Sequence, residues 1–178
     1  SLRMAGTLCA RIGRIFNLII LMTMSNRNVL LAIALASFGL IGAAMYLQHV
    51  LYLMPCPLCV IQRYLFIAIG LAALVGALSA KPKLAAGVGL LPALGGLGVA
   101  GKQLWVLAHP GLSCGIDPLE TTLNKIPTSE YLPWLFYAEG LCQDATEKFM
   151  GLQIPVWSFI WFAILAIGMG WIMLRKRA

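Results

Sequence analysis

The sequence predicts an all-α membrane protein, folded as a bundle of four transmembrane helices. Of its 178 residues, 61% are hydrophobic and only 11% are charged, whereas soluble domains carry about 25% charged residues. Crossing a bilayer takes a helix of about 20 apolar residues. Four stretches meet that length, at 29–47, 58–78, 84–107 and 156–174. Each is continuously apolar, unlike the alternating strands of membrane β-barrels.

The charged residues are divided between the two sides of the predicted bundle. Nine of the 13 Lys and Arg residues lie in the N-terminal tail 1–28, the turn between spans two and three, or the C-terminal tail 175–178. All six acidic residues lie in the long loop 108–155. By the positive-inside rule, both termini are cytoplasmic, and loops 48–57 and 108–155 face outward. The net charge of +7 therefore indicates membrane topology and not nucleic acid binding.

The five cysteines follow the same division. Cys56, Cys59, Cys114 and Cys142 fall on the predicted outer side, where disulfides persist. Cys9 falls on the inner, reducing side. An even number of cysteines outside and a single thiol inside is typical of redox conditions that differ across a membrane.

The motif with the clearest chemistry is Cys56-Pro57-Leu58-Cys59. Pro57 suits the first helical position, so Cys56 is the predicted N-cap and Cys59 lies in the first turn. At 100° per residue, both cysteines and Arg63 share one helix face. The helix N-terminus and the positive charge of Arg63 both favour the thiolate form, which is the form active in disulfide exchange. A static disulfide or half of a metal site is the alternative, although a bridge across one helical turn constrains the chain little.

Two basic residues are predicted to lie within the membrane. Arg63 would cost ~2.5–3.5 kcal/mol at mid-depth, and less near the surface. Its side chain either extends upward to water or binds an electronegative group such as a quinone carbonyl. Lys102 lies at a similar depth in span three, where extension towards water is the simpler reading.

Span three and the loop that follows it have distinct compositions. Gly89/Ala93 and Gly96/Ala100 are small residues four apart, which predict close helix packing. The loop is too long to be only a connector, yet its Gly, Pro and Ser content argues against a globular core. Its aromatic segment, 131–137, suits the membrane interface.

Cys114 and Cys142 enclose 27 residues of that loop. As a structural bridge, this pair would contribute ~3–4 kcal/mol by loop closure. As an exchangeable disulfide, it would meet a protein substrate. The neighbouring Cys56–Cys59 pair favours exchange.

His49 and His109 both lie at predicted helix ends. Capping of a helix C-terminus is one interpretation, and a pair of ligands to a b-type haem is another. No set of four convergent zinc ligands and no phosphate-binding or hydrolase motif is present in the sequence. We therefore predict no metal site.

Gln48-His49-Val50, the cysteine motif and Arg63, followed by a long loop with two more cysteines, resemble the DsbB family of disulfide bond formation proteins. The resemblance covers about residues 29–174. It implies an enzyme of the bacterial inner membrane whose active side faces the periplasm. Such an enzyme reoxidises a periplasmic thiol oxidase of the DsbA type and passes the electrons to membrane quinone, either ubiquinone or menaquinone.

The resemblance also implies a role for each outer cysteine. Cys114 would form the mixed disulfide with the partner, and Cys142 would be its loop mate. Electrons would then reach Cys56–Cys59, through a bond between Cys56 and Cys142. Cys59 would react with the quinone. The predicted quinone-binding residues are Arg63, His109, Gln48 and Lys102.

Three other functions compete with this one. A paralogue with the same chemistry would serve a dedicated partner. A non-catalytic membrane protein with two structural disulfides would neither exchange with small thiols nor bind quinone. A b-haem carrier would show a Soret band.

Overall fold

The computed structural model describes residues 25–109, 116–140 and 148–175. In chain order its elements are α1 (Asn26–Val50), α2 (Pro57–Leu78), α3 (Pro82–Ala108), α4 (Ile116–Asn124), α5 (Pro127–Tyr131), α6 (Pro133–Phe136), β1 (Lys148–Phe149), β2 (Leu152–Gln153) and α7 (Ile154–Leu174). Among these described elements, α1, α2, α3 and α7 are the helices long and apolar enough to cross a membrane. The prediction of an all-α protein with four spanning helices is confirmed. Cys9, Cys114 and Cys142 lie outside the described residues.

Each predicted span lies inside one of these helices, and the helices extend past it by up to three residues at an end. The extensions contain polar residues such as Gln48 and His49. Their low hydropathy leaves them out of the predicted spans, although the helix continues through them. Proline occupies the first turn of α2, α3 and α7, where its missing N–H leaves no hydrogen bond unmade. α3 continues as one helix through Pro92, as membrane helices with neighbouring partners can.

The spanning helices pack in sequence around the bundle. α1 contacts α2, α2 contacts α3 and α3 contacts α7 extensively, while α1 and α7 meet only sparsely. We call the α3–α7 interface the packed side and the gap between α1 and α7 the open side. The end of the bundle that carries the start of α2, here called the cysteine end, also carries the short elements α4 to β2. Which end faces the cytoplasm stays a prediction from charge.

The packed side depends on the small residues of α3. The ring of Phe162 from α7 lies directly over Gly96, so a side chain there would collide with it. Gly89 is covered in the same way by the methyl end of Met169. Phe162 also stacks on Phe66 of α2, with ring centroids 4.0 Å apart. The close packing predicted for span three is confirmed.

The long loop forms a small apolar cluster against α2, which its composition did not predict. Leu123, Phe136 and Ala138 pack on Val60, all at most 8% exposed. Phe136 also stacks on Tyr64, with ring centroids 4.3 Å apart. The aromatic segment nevertheless exposes several rings at the surface of the bundle, including Tyr131 and Trp134. The described part of the loop, 116–140, is therefore attached to the cysteine end by a few apolar contacts.

Candidate active site

The two cysteines of the motif begin α2. Cys56 is the N-cap, with extended backbone, and its Sγ accepts a hydrogen bond from the backbone N–H of Cys59 at 3.3 Å. Pro57 follows as the first helical residue. Cys56 is buried, and Cys59 is partly buried. The motif thus places two sulfurs at one helix N-terminus, as the sequence predicts.

The environment of Cys56 differs from the expectation drawn from the helix N-terminus. A hydrogen bond with the Cys59 side chain and burial together raise the pKa of the Cys56 thiol above its usual value. The sequence predicts a thiolate at Cys56 or Cys59, and this environment disfavours it at Cys56.

A buried pair of glutamines lies beside these sulfurs, with Gln103 in contact with them, and sequence reasoning did not identify it. The side-chain amide of Gln103 in α3 donates to Cys56 Sγ at 3.4 Å and to Cys59 Sγ at 3.3 Å. Its Oε1 accepts a hydrogen bond from Gln62 Nε2 at 2.7 Å. Both glutamines are buried. The signal available in the sequence was an amide side chain inside an otherwise apolar span, a costly placement that usually has a partner.

Arg63 is 6% exposed and points towards the loop. Its Nη1 donates to Gln48 Oε1 at 2.8 Å and to the backbone carbonyl of Leu135 at 2.6 Å. The guanidinium charge is therefore held by one polar side chain of α1 and one carbonyl of α6. The structure brings Gln48 to the predicted site through this contact with Arg63.

A cavity of about 960 Å³ lies on the open side, between α1, α2 and α7. Most of its wall is apolar or aromatic. The polar residues that α2 contributes to the wall are Cys59, Gln62 and Arg63, and α7 adds Ser158. Ligand sites commonly combine apolar walls with a few convergent polar groups in this way. Cys59 thus stands between Gln103 on one side and the cavity on the other.

A short hairpin forms part of the rim of this cavity. β1 pairs with β2 in antiparallel register, and the turn between them contains Met150 and Gly151, both with positive φ. Phe149 and Met150 line the cavity. The indole N–H of Trp157, another lining residue, donates to the Phe149 carbonyl at 2.9 Å.

Of the four predicted quinone-binding residues, Arg63 lines this cavity, whereas Gln48, Lys102 and His109 do not. Lys102 is exposed on α3. His109 follows the last turn of α3, where its Nδ1 lies 2.8 Å from the Trp105 carbonyl and its ring lies tilted against the Trp105 indole. Neither residue lines the cavity, so their contact with quinone stays a prediction. Among the described residues, no cluster of His, Cys, Asp or Glu could hold a metal ion.

The loop reaches the cysteine motif through its backbone. The N–H groups of Glu139 and Gly140 donate to the carbonyl of Pro55, at 3.2 and 3.0 Å. Gly140 is required there because any side chain would collide with the Met54 carbonyl. This segment of the loop is also held by Asn124, whose side-chain amide donates to the Ala138 carbonyl and accepts from the Ala138 N–H. In sequence, Pro55 immediately precedes Cys56.

Comparison with known proteins gives the family. The sequence model of the family described as Disulfide bond formation protein DsbB matches residues 26–172. The chain belongs to this family. The predicted resemblance is thereby confirmed, and the DsbB-family match covers all four spanning helices.

Individual relatives agree with the family match. The chain is 48% identical to Disulfide bond formation protein B of Herminiimonas arsenicoxydans over 156 residues, which cover 86% of this chain and 99% of the relative. It is 46% identical to the protein of the same name from Ralstonia nicotianae over 157 residues, 88% of this chain and 99% of the relative. A third relative, Disulfide bond formation protein B 2 of Burkholderia lata, is 39% identical over 84% of this chain and 89% of its own length. This is a DsbB-family multi-pass membrane protein of disulfide bond formation, and the family indicates a disulfide oxidoreductase.

Proposed function

We propose that this DsbB-family protein is a quinone-dependent oxidase that reoxidises a DsbA-type thiol oxidase. The observation that carries the proposal is the position of Cys59, which lies at the start of α2 and lines the apolar cavity of the open side. A redox-active sulfur in the wall of a membrane cavity has access to an apolar electron acceptor. A structural disulfide would need no such cavity.

The cavity fits the chemistry of a quinone head group. Its volume, about 960 Å³, is in the range typical of sites for small organic ligands, about 300–1,000 Å³. Aromatic side chains such as Phe66 and Trp161 line it and can pack on a flat ring. The guanidinium of Arg63 supplies hydrogen-bond donors suited to a carbonyl oxygen that gains negative charge. A bound quinone supplies an acceptor for two electrons and two protons.

Each residue around the cavity has a separate role in the proposed reaction. Cys59 presents its sulfur to the cavity, and Cys56 closes the disulfide as the Cys56–Cys59 dithiol gives up two electrons and two protons. Arg63 orients the acceptor, and Gln48 holds Arg63 in place through the 2.8 Å hydrogen bond. Apolar walls exclude water from the reacting sulfur.

Electrons enter through the loop cysteines in this proposal. The reduced partner gives two electrons and two protons to the Cys114–Cys142 disulfide and becomes a disulfide itself. The resulting loop dithiol then reduces Cys56–Cys59 by exchange, through a bond between Cys56 and Cys142. Support comes from the hydrogen bonds that tie Gly140, two residues before Cys142 in sequence, to Pro55, the residue before Cys56.

Charge distribution supports the placement of this chemistry on the periplasmic side of the inner membrane. The basic tails and the turn at Lys81 and Lys83 are cytoplasmic by the positive-inside rule. The cysteine end then faces the periplasm, where a DsbA-type oxidase operates.

The test is quinol formation by the purified protein in detergent, with a reduced DsbA-type partner and a short-chain ubiquinone. Wild type is compared with Cys59→Ser and Cys114→Ser, and both variants should lose turnover. Dithiothreitol as donor should restore quinol formation in Cys114→Ser but not in Cys59→Ser, because only the second variant lacks the sulfur facing the cavity. Wild-type protein that oxidises neither donor would contradict the proposal. Oxidation of dithiothreitol without oxidation of the DsbA-type protein would favour a dedicated partner.

A further inference from the structure

The two sulfurs share a single amide donor. Gln103 is fully buried, and its Nε2 lies 3.4 Å from Cys56 Sγ and 3.3 Å from Cys59 Sγ, both within the distance expected for an N–H···S contact. An amide nitrogen has two hydrogens, so one nitrogen can serve both sulfurs. In a site without bulk water, such a donor stabilises negative charge on sulfur and adds little to a disulfide, whose sulfurs are weak acceptors.

The direction of the Gln103 amide is set by Gln62. Gln62 Nε2 donates to Gln103 Oε1 at 2.7 Å, and Gln62 is 4% exposed. If the Gln103 amide were rotated by 180°, two NH₂ groups would face each other and an oxygen would face the sulfurs. Gln62 therefore keeps the donor end of Gln103 on Cys56 and Cys59.

We propose that Gln103 acts on the Cys56–Cys59 pair by stabilising its reduced form, with Gln62 as the positioning residue that orients the Gln103 amide. The inference rests on the proposed function, because it assumes that this pair alternates between dithiol and disulfide. It adds a determinant of the pair's oxidising strength on the α3 side, away from the cavity. A more stable reduced form makes the disulfide a stronger oxidant.

The quantity to measure is the equilibrium of the pair with glutathione. In that reaction the Cys56–Cys59 disulfide and two glutathione thiols give the dithiol and one glutathione disulfide. The full-length protein in detergent is equilibrated without oxygen, quenched in acid and alkylated. Mass spectrometry of the peptide that carries both cysteines then gives the reduced fraction. Neither quinone nor a protein partner takes part, so this measurement is independent of the turnover that tests the proposed function.

Gln103→Met keeps the length of the side chain and removes its donors. We expect its equilibrium to shift about tenfold towards the disulfide, which corresponds to about 30 mV for a two-electron couple. Gln62→Met should shift it the same way by about threefold, because the Gln103 amide stays but loses its orientation. A Gln103→Met equilibrium within twofold of wild type, in folded protein, would overturn the proposal. If Gln103→Met does not fold, a Gln62→Met equilibrium within twofold of wild type would overturn the proposal instead.

Two controls separate hydrogen bonding from packing and from the substitution itself. Val106→Ala alters the apolar contact of α3 with Cys56 and leaves both glutamines in place. Gln153→Met makes the same chemical change at the start of α7, at a residue outside the cavity wall. Both controls should stay within twofold of wild type. If Val106→Ala moved the equilibrium as far as Gln103→Met, packing would account for the effect and the proposal would fall.

Discussion

The packed side and the open side of the bundle are built from different residues and serve the cysteines differently. On the packed side, Gly96 and Gly89 let α7 lie directly on the backbone of α3. On the open side, α1 and α7 stay apart and a cavity of about 960 Å³ remains between them. The bundle is thus close-packed along one interface and leaves room for a ligand along another.

Cys59 lies where these two environments meet. Towards α3 it contacts the amide of Gln103, and towards α1 and α7 it lines the cavity. One sulfur therefore has a buried amide donor on one side and an apolar cavity on the other. A disulfide that only stabilised the fold would need neither.

Filling the cavity should have the largest effect on activity. Ala44→Trp places a large ring from α1 into the cavity wall. We expect the KM for a short-chain ubiquinone to rise on the order of 100-fold, because the ring occupies space that the quinone would fill and about 3 kcal/mol of binding is lost. Gly42→Trp is the matched control, since Gly42 is on the same helix with open space at its Cβ. Steady-state kinetics of both variants, with dithiothreitol as donor, measure the difference. Equal KM values would mean that the acceptor binds elsewhere.

A larger side chain on the packed side should lower the stability of the fold and have less effect on the cavity. Gly96→Leu drives a side chain into the Phe162 ring, and we expect a loss of about 1–3 kcal/mol in the free energy of unfolding. Gly98→Leu serves as control, because no atom lies within 4 Å of the Cβ position. Denaturation followed by circular dichroism gives both values. A Gly96→Leu protein as stable as Gly98→Leu would show that α3 and α7 do not pack as described.

The attachment of the loop to the motif can be weakened separately from the cavity. Gly140→Leu collides with the Met54 carbonyl and disrupts the two hydrogen bonds to Pro55. We expect turnover with a reduced DsbA-type partner to fall about 30-fold, which corresponds to about 2 kcal/mol for the two hydrogen bonds lost. Turnover with dithiothreitol, which reduces Cys56–Cys59 directly, should stay unchanged. If turnover fell equally with both donors, the substitution would have damaged the Cys56–Cys59 pair and not only the loop.

The smallest expected effect is on the KM for quinone, when one hydrogen bond that holds Arg63 at the open side is removed. Gln48→Met removes the hydrogen bond of Arg63 to α1 and leaves its hydrogen bond to the Leu135 carbonyl. We expect the KM for quinone to rise about fivefold, which corresponds to about 1 kcal/mol for one hydrogen bond. His49→Met, at the next and exposed position, should leave the KM unchanged. An equal change in both variants would point to a general effect on the end of α1.

The features that the sequence predicts well are local ones. Apolar length predicts the four spans, and Pro57 places Cys56 at the helix N-cap, because both depend only on neighbouring residues. The contact of Gln103 with Cys59 joins residues 44 positions apart. It depends on how α3 is rotated against α2, which composition does not specify. The cavity likewise results from the separation of α1 and α7.

Two site expectations illustrate the same limit. The hydrogen bond with the Cys59 side chain and burial outweigh the helix N-terminus at Cys56, so the pKa of this thiol is raised. His109 and Lys102 lie near the right end of α3, but the helix does not direct them into the cavity wall. Depth in the membrane is readable from position along a span, whereas the direction of a side chain requires the packed bundle.

The most direct test of the central proposal is a single-turnover measurement of quinol formation and of the oxidation of the Cys56–Cys59 pair. Protein carrying Cys114→Ser and Cys142→Ser is reduced, freed of reductant without oxygen, and mixed with a short-chain ubiquinone. If Cys56 and Cys59 reduce quinone themselves, one quinol should form for each new Cys56–Cys59 disulfide, with both measured in the same sample. Quinone left oxidised beside a persistently reduced pair, in folded protein, would contradict direct transfer from this site.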